Sequence, residues 1–197
     1  MGAKCCAESK QAGMPTEVPA EIKDLPAVDF SGIRDPVAKF EASLPFNRTL
    51  VAVLLKKTDD AEQECGEKGF VTLEVLSKHL DTPAWRDLGD PSSNLTKVLL
   101  SSAFKNSSKG QGDDQIDAVW LKVFGLIHCS GKPIDKTNAF YEILQDGGYD
   151  SHEQISAGDK DFPPVFTKIC EFVTVDAFKL AVETGCADTP IYSSDEE

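Results

Sequence analysis

Apolar residues in this chain recur at helical spacing in block after block. Ile116, Val119, Trp120, Val123, Phe124 and Ile127 follow i, i+3, i+4, i+7, i+8 and i+11, which predicts a helix with a broad apolar stripe. Val37, Phe40 and Leu44 predict an earlier helix, with Asp35 as its cap and Pro36 at its first position. Phe140, Ile143 and Leu144 mark another. Phe166, Ile169, Cys170 and Val173 mark a further one, with Pro163 and Pro164 in its opening turn, where missing amides cost least. "TVDAFKLAVETGC" predicts a last helix capped by Thr174 and stopped by Gly185.

Between these blocks a unit repeats three times: a helix, a loop rich in Gly, Asp and Lys, one isolated β-branched apolar residue, a short polar residue, then a second helix. The isolated residues are Val71, Ile116 and Ile155, which lie 45 and 39 positions apart. Their followers Thr72, Asp117 and Ser156 carry side-chain oxygens that accept from the free amides of the next helix, as an N-cap does. Trp85, in a short turn after Pro83, is expected to cap the core between the first two units. The predicted class is all-α with minimal β-bridges between loops. A tether at 1–34 precedes a helical domain at 35–187 and an acidic tail at 188–197.

This recurrence of helix, loop, lone Ile or Val, cap and helix resembles the EF-hand superfamily over about residues 47–173. The resemblance implies that the lone residue sits at loop position 8 and pairs two loops through a small β-bridge. It also implies oxygen ligands at positions 1, 3, 5 and 12, the last a bidentate Glu. The loops then fall near 64–75, 109–120 and 148–159. In the first, Glu64 and Gly69 are kept, but Lys68 and Val75 stand where ligands belong. The second begins with Lys109 and ends with Trp120, leaving Asp113 and Asp117 as isolated acids. The third has Gly148 and His152 at ligand positions and keeps Asp150 and Asp159. Two carboxylates fall short of the about six to eight oxygens that calcium takes. No cofactor or metal is therefore expected. The alternative is a weak calcium sensor or buffer using 148–159, with Asp146, Asp150 and Asp159 as the candidate ligands. Val75 and Trp120 at the loop ends suggest permanent packing in place of switching.

Charge and termini extend the picture. Acidic residues number 33 against 20 basic, for a net charge of -13, which repels phosphate backbones and argues against a nucleic-acid partner. No apolar run reaches the about 20 residues of a membrane-spanning helix, and residues 1–25 lack the apolar stretch of a secretory signal. "MGAKCC" resembles the start of myristoylated and palmitoylated proteins, with Gly2, Cys5 and Cys6 as the acylated positions, although Cys6 stands where Ser or Thr is usual. One myristoyl chain binds a bilayer with only about 10⁴ M⁻¹, and residues 1–25 hold no basic patch, so the second anchor has to be another acyl chain. The expected place is the cytoplasmic face of a membrane, otherwise the cytosol. Ser193 and Ser194, three residues before Glu196 and Glu197, look like an acidic-directed phosphorylation site.

Candidate chemistry is sparse. The six cysteines contain no C-x-x-C pair, and Cys129 and Cys170 fall in apolar patterns that predict buried free thiols. His128 and Cys129 are adjacent, and neighbours on a helix point about 100° apart, so they do not face one another. No enzyme activity is expected. The sequence reads as a membrane-tethered adaptor that binds a partner protein, an amphipathic helix fitting an apolar cleft.

Overall fold

Asp35 caps the first helix by accepting a 2.9 Å bond from the Val37 amide, and Pro36 lies in the first turn of that helix. The computed structural model describes residues 35–105, 111–146 and 162–185. These residues are mostly helical, with one small two-stranded sheet. Gly2, Cys5, Cys6, Ser193, Ser194 and the whole of the third predicted loop, Asp150, Ile155, Ser156 and Asp159 included, lie outside them.

Helix α1 (Pro36–Ser43) leads through a 3₁₀ turn at Pro45–Arg48 into the long helix α2 (Val51–Cys65). Gly66 ends α2 in the left-handed conformation at φ 71°, which a residue with a side chain rarely adopts. Strand β1 (Phe70–Thr72) then enters α3 (Leu73–His79), where Thr72 accepts from the Val75 amide at 3.3 Å. The second unit repeats this order. Ser93 caps α4 (Asn94–Leu100), a short turn spans Ser102–Phe104, and strand β2 (Gln115–Asp117) runs into α5 (Ala118–His128). Asp117 caps α5 by accepting from the Trp120 amide at 3.0 Å. Thr72 and Asp117 thus do what their positions predict.

β1 and β2 pair antiparallel with Val71 opposite Ile116, both fully buried. The two residues singled out as isolated apolar positions therefore join the two loops back to back. The main chain adds a further tie, from the Ala118 amide to the Gly69 carbonyl at 3.0 Å. A parallel bridge between Leu50 and Ser130 binds the start of α2 to the end of α5, and α6 (Pro133–Asp146) packs on both helices.

Phe124 is the hub of the core. Its ring meets Phe46 at 4.9 Å, Phe104 at 5.2 Å and Phe172 at 5.0 Å, all edge to face, and each such pair adds about 0.5–1.5 kcal/mol beyond burial. Trp85 packs on Phe46 at 4.9 Å and donates its Nε1 proton to Thr49 Oγ1 at 2.9 Å, so it does close the core between the units. The inner face of helix α5 is shifted from its predicted stripe: Val123 and Phe124 are buried, Val119, Trp120 and Ile127 are half-buried, and Leu121, Lys122 and Gly125 are also inside. At Gly125 a β-carbon would collide with Leu54 Cδ2 on α2, so a glycine lets these two helices approach.

The carboxy-terminal helices differ from expectation. Helix α7 (Phe162–Glu171) passes without interruption through a π-helical turn at Phe172–Asp176 into α8 (Ala177–Glu183). Thr174 is not a cap; its hydroxyl donates to the Cys170 carbonyl at 2.6 Å within the continuous helix. Gly185, at φ 72°, does terminate it. The face expected inside is largely outside: Phe166 is 51% and Val173 49% exposed, Cys170 is exposed, and Ile169 is half-buried. The buried face is Val165, Lys168 and Phe172, continued by Ala177, Leu180 and Ala181. The extra residue of the π turn makes Ala177, five positions after Phe172, take the place a fourth position holds in a regular helix. The buried stripe thereby stays continuous from α7 to α8.

Candidate functional site

Among the described residues, the paired loops, the His128–Cys129 corner and the outer face of α7 and α8 carry polar or exposed groups that the core does not explain.

In the first loop, Glu64 is near the end of α2. Its carboxylate contacts His79 Nε2 at 2.9 Å and Lys78 Nζ at 3.5 Å, both from the end of α3. The hydrogen bond with His79, then that with Lys78, holds the Glu64 carboxyl below the usual carboxylate range. The carboxylate at the predicted first ligand position is thus engaged by the chain's own side chains. Glu62 Oε1 accepts from the Gly69 amide at 2.6 Å, and Glu67 Oε2 accepts from Gln115 Nε2 at 2.9 Å, which crosslinks the two loops. A cavity of about 330 Å³ lies here, between Glu64, Cys65, Phe70, Val75 and Gln115. Val75 is half-buried against the core, as is Trp120 at the corresponding place in the second loop.

The second loop is organised by a residue that the sequence reading passed over. Lys105 Nζ donates to three main-chain oxygens, those of Gly112 and Asp113 at 2.8 Å each and of Gln115 at 2.6 Å. Desolvation draws this ammonium below the ordinary lysine value while the Asp113 and Asp114 carboxylates pull the other way. The three carbonyl bonds favour the charged form further. Gly112 N in turn donates to Gln115 Oε1 at 2.8 Å. Of the two acids noted in this loop, Asp113 turns its carbonyl to the lysine and Asp117 is buried as the α5 cap. Asp146 is the last residue of α6. Among the described residues, no group of three or more His, Cys, Asp or Glu is placed to hold a metal ion.

The His128–Cys129 corner does not make a nucleophile. Burial lowers His128 to about 4 and pushes the Cys129 thiol well above its ordinary value. A thiolate–imidazolium pair needs the opposite shifts. The His128 ring instead packs 4.1 Å from that of Phe124, and its Nε2 has no hydrogen-bond partner among the described residues. Cys129 is buried as expected, whereas Cys170 is exposed.

The outer face of α7 and α8 presents Phe166, Cys170, Val173 and Phe178. The first three follow i, i+4 and i+7, and the π turn brings Phe178 into the next place on the same row. Beneath it, Lys168 is almost wholly buried. Its ammonium meets Asp176 at 3.0 Å and Glu171 at 3.2 Å and lies 4.5 Å above the Phe172 ring. The stem fills core space while the head reaches its carboxylates, so a lysine occupies a position that hydrophobicity alone would not assign to the interior. A shallow cavity of about 470 Å³ adjoins it, between Trp120, Pro163, Pro164, Thr167 and Glu171.

No protein-family model, curated protein or solved structure matches this chain. No helix among the described residues is long and apolar enough to cross a membrane.

Proposed function

We propose that this protein is a membrane-tethered, non-catalytic adaptor of the EF-hand kind, whose loops are held together without calcium and which binds a partner protein through the outer face of α7 and α8. The observation that carries the reading is the apolar row of Phe166, Val173 and Phe178, exposed on a helix whose opposite face is fixed in the core. A row at this spacing suits the apolar face of an amphipathic helix.

The EF-hand reading draws its support from the antiparallel pairing of Val71 with Ile116 between two helix–loop–helix units. Calcium independence draws on the engagement of loop oxygens by Lys78, His79 and Lys105. The tether is acylation of Gly2 with Cys5 or Cys6, which places the protein on the cytoplasmic face of a membrane. The opposed shifts of His128 and Cys129 argue against that pair as a base and nucleophile.

The test is crosslinking capture from membrane fractions with the parent chain and a Phe166→Ser/Phe178→Ser variant that remains folded. The parent is expected to retain a partner that the variant loses. Identical capture by both would remove the row from the account. For the tether, Gly2→Ala and Cys5→Ser/Cys6→Ser are expected to leave the membrane pellet, and pelleting equal to the parent would refute acylation.

A further inference from the structure

We infer that the second loop carries its own cation: the carbonyl cluster around Lys105 is a hard-cation site that the chain fills with a tethered ammonium. This deepens the reading of the loops as calcium-independent and rests on it, but it does not depend on the apolar row.

Three main-chain oxygens, from Gly112, Asp113 and Gln115, converge on Nζ within 2.8 Å. An ammonium has three protons to donate, so each oxygen takes one. Carbonyl dipoles that point at a common centre repel one another, and a positive charge at that centre offsets the repulsion. Carbonyl oxygens are also the ligands that hard cations select. The Asp113 and Asp114 carboxylates act on the same charge. With Ile116 at the eighth position, the Gln115 carbonyl is the seventh, the main-chain oxygen that a calcium loop gives to its ion. Lys105 makes its shortest bond there.

The reach of the lysine is set by its neighbour. Phe104 is fully buried against Phe124 and Phe172, which anchors the main chain immediately before Lys105. A free ion has to compete with a covalently attached one whose effective concentration is on the order of millimolar or more. The loop is therefore closed at every physiological calcium level, and its stability depends on a lysine charge.

Lys105→Met in the full chain removes the charge and keeps most of the stem. Thermal unfolding and amide exchange are measured in chelator and in millimolar calcium, magnesium or potassium. The parent melt is expected not to move with any of these ions. The variant is expected to melt several degrees lower in chelator, with faster exchange at Gln115, Ile116 and Asp117, and to recover at least half of both losses in calcium. A variant that is unfolded in chelator and folds on adding calcium counts as the same recovery. A variant that melts with the parent, or that stays destabilised or unfolded in all three ions, overturns the inference. Neither result bears on partner capture, so failure here is distinct from failure of the apolar row. A calcium-dependent shift of the parent at residues 111–117 would overturn both this inference and the calcium-independent reading it rests on.

Discussion

Lowering the pH from 7 to 5 is expected to cost the fold about 2 kcal/mol through one side chain, His128. In the folded state burial, helped by the nearby Lys136 ammonium on α6, lowers its pKa to about 4, against an ordinary value of 6.5. The neutral ring is thus favoured in the folded state and the charged ring in the unfolded chain. Stability from this source is complete above pH 6.5 and falls as the pH drops toward 4, below which both states are protonated and the loss levels off. With a tenfold change in proton affinity worth about 1.4 kcal/mol, the full loss is about 3 kcal/mol, of which about 2 is reached at pH 5. The Nε2 atom explains the direction: it is buried without a partner among the described residues, so an added proton has nothing to bond. The assay is urea unfolding of the parent and of His128→Gln at intervals between pH 7.5 and 4.5. Gln removes the titration, so the variant is expected to hold nearly constant stability between pH 6.5 and 5, while the parent declines. Parallel pH profiles would refute the reasoning, because the decline would then belong to other groups.

Three further outcomes follow from packing and accessibility. Gly125→Ala, which drives a methyl into Leu54 Cδ2 between α2 and α5, is expected to lower stability by about 1–3 kcal/mol despite the better helix propensity of alanine; an unchanged or raised urea midpoint would contradict it. Thr49→Val removes the acceptor of the Trp85 indole and the donor to the Pro45 carbonyl, with an expected cost of about 1–3 kcal/mol in the same assay and a changed tryptophan emission. In a Cys5→Ser/Cys6→Ser background, a thiol reagent is expected to modify Cys170 in the native protein and Cys129 only after unfolding, and rapid native labelling of Cys129 would place that corner wrongly.

Local signals were legible in the sequence. Asp35, Thr72 and Asp117 cap the helices that their positions announce, because capping is decided by a residue and the next three amides. Val71 and Ile116 stood out because they are lone apolar residues before caps, and they are the pair that joins the loops. The inner face of α7 was not legible. Phe166, Cys170 and Val173 share the helical period as well as Val165, Lys168 and Phe172 do, and the buried face is the one that includes a lysine. What decides is where the lysine head goes: Glu171 and Asp176, three and eight positions further along the same continuous helix, receive it while the stem fills core space. The π turn follows no period either, and past it Ala177 and Leu180 still face the core. Lys105 left no signal, because its bonds reach seven to ten residues across a polar loop and follow no period.

The claim that the loops are closed by the chain's own charges is tested most directly by calcium titration of the isotopically labelled full chain, read by heteronuclear NMR. The account predicts that amide resonances of residues 64–75 and 111–117 keep their positions from chelator to millimolar calcium. A saturable shift of those resonances at micromolar calcium would contradict it.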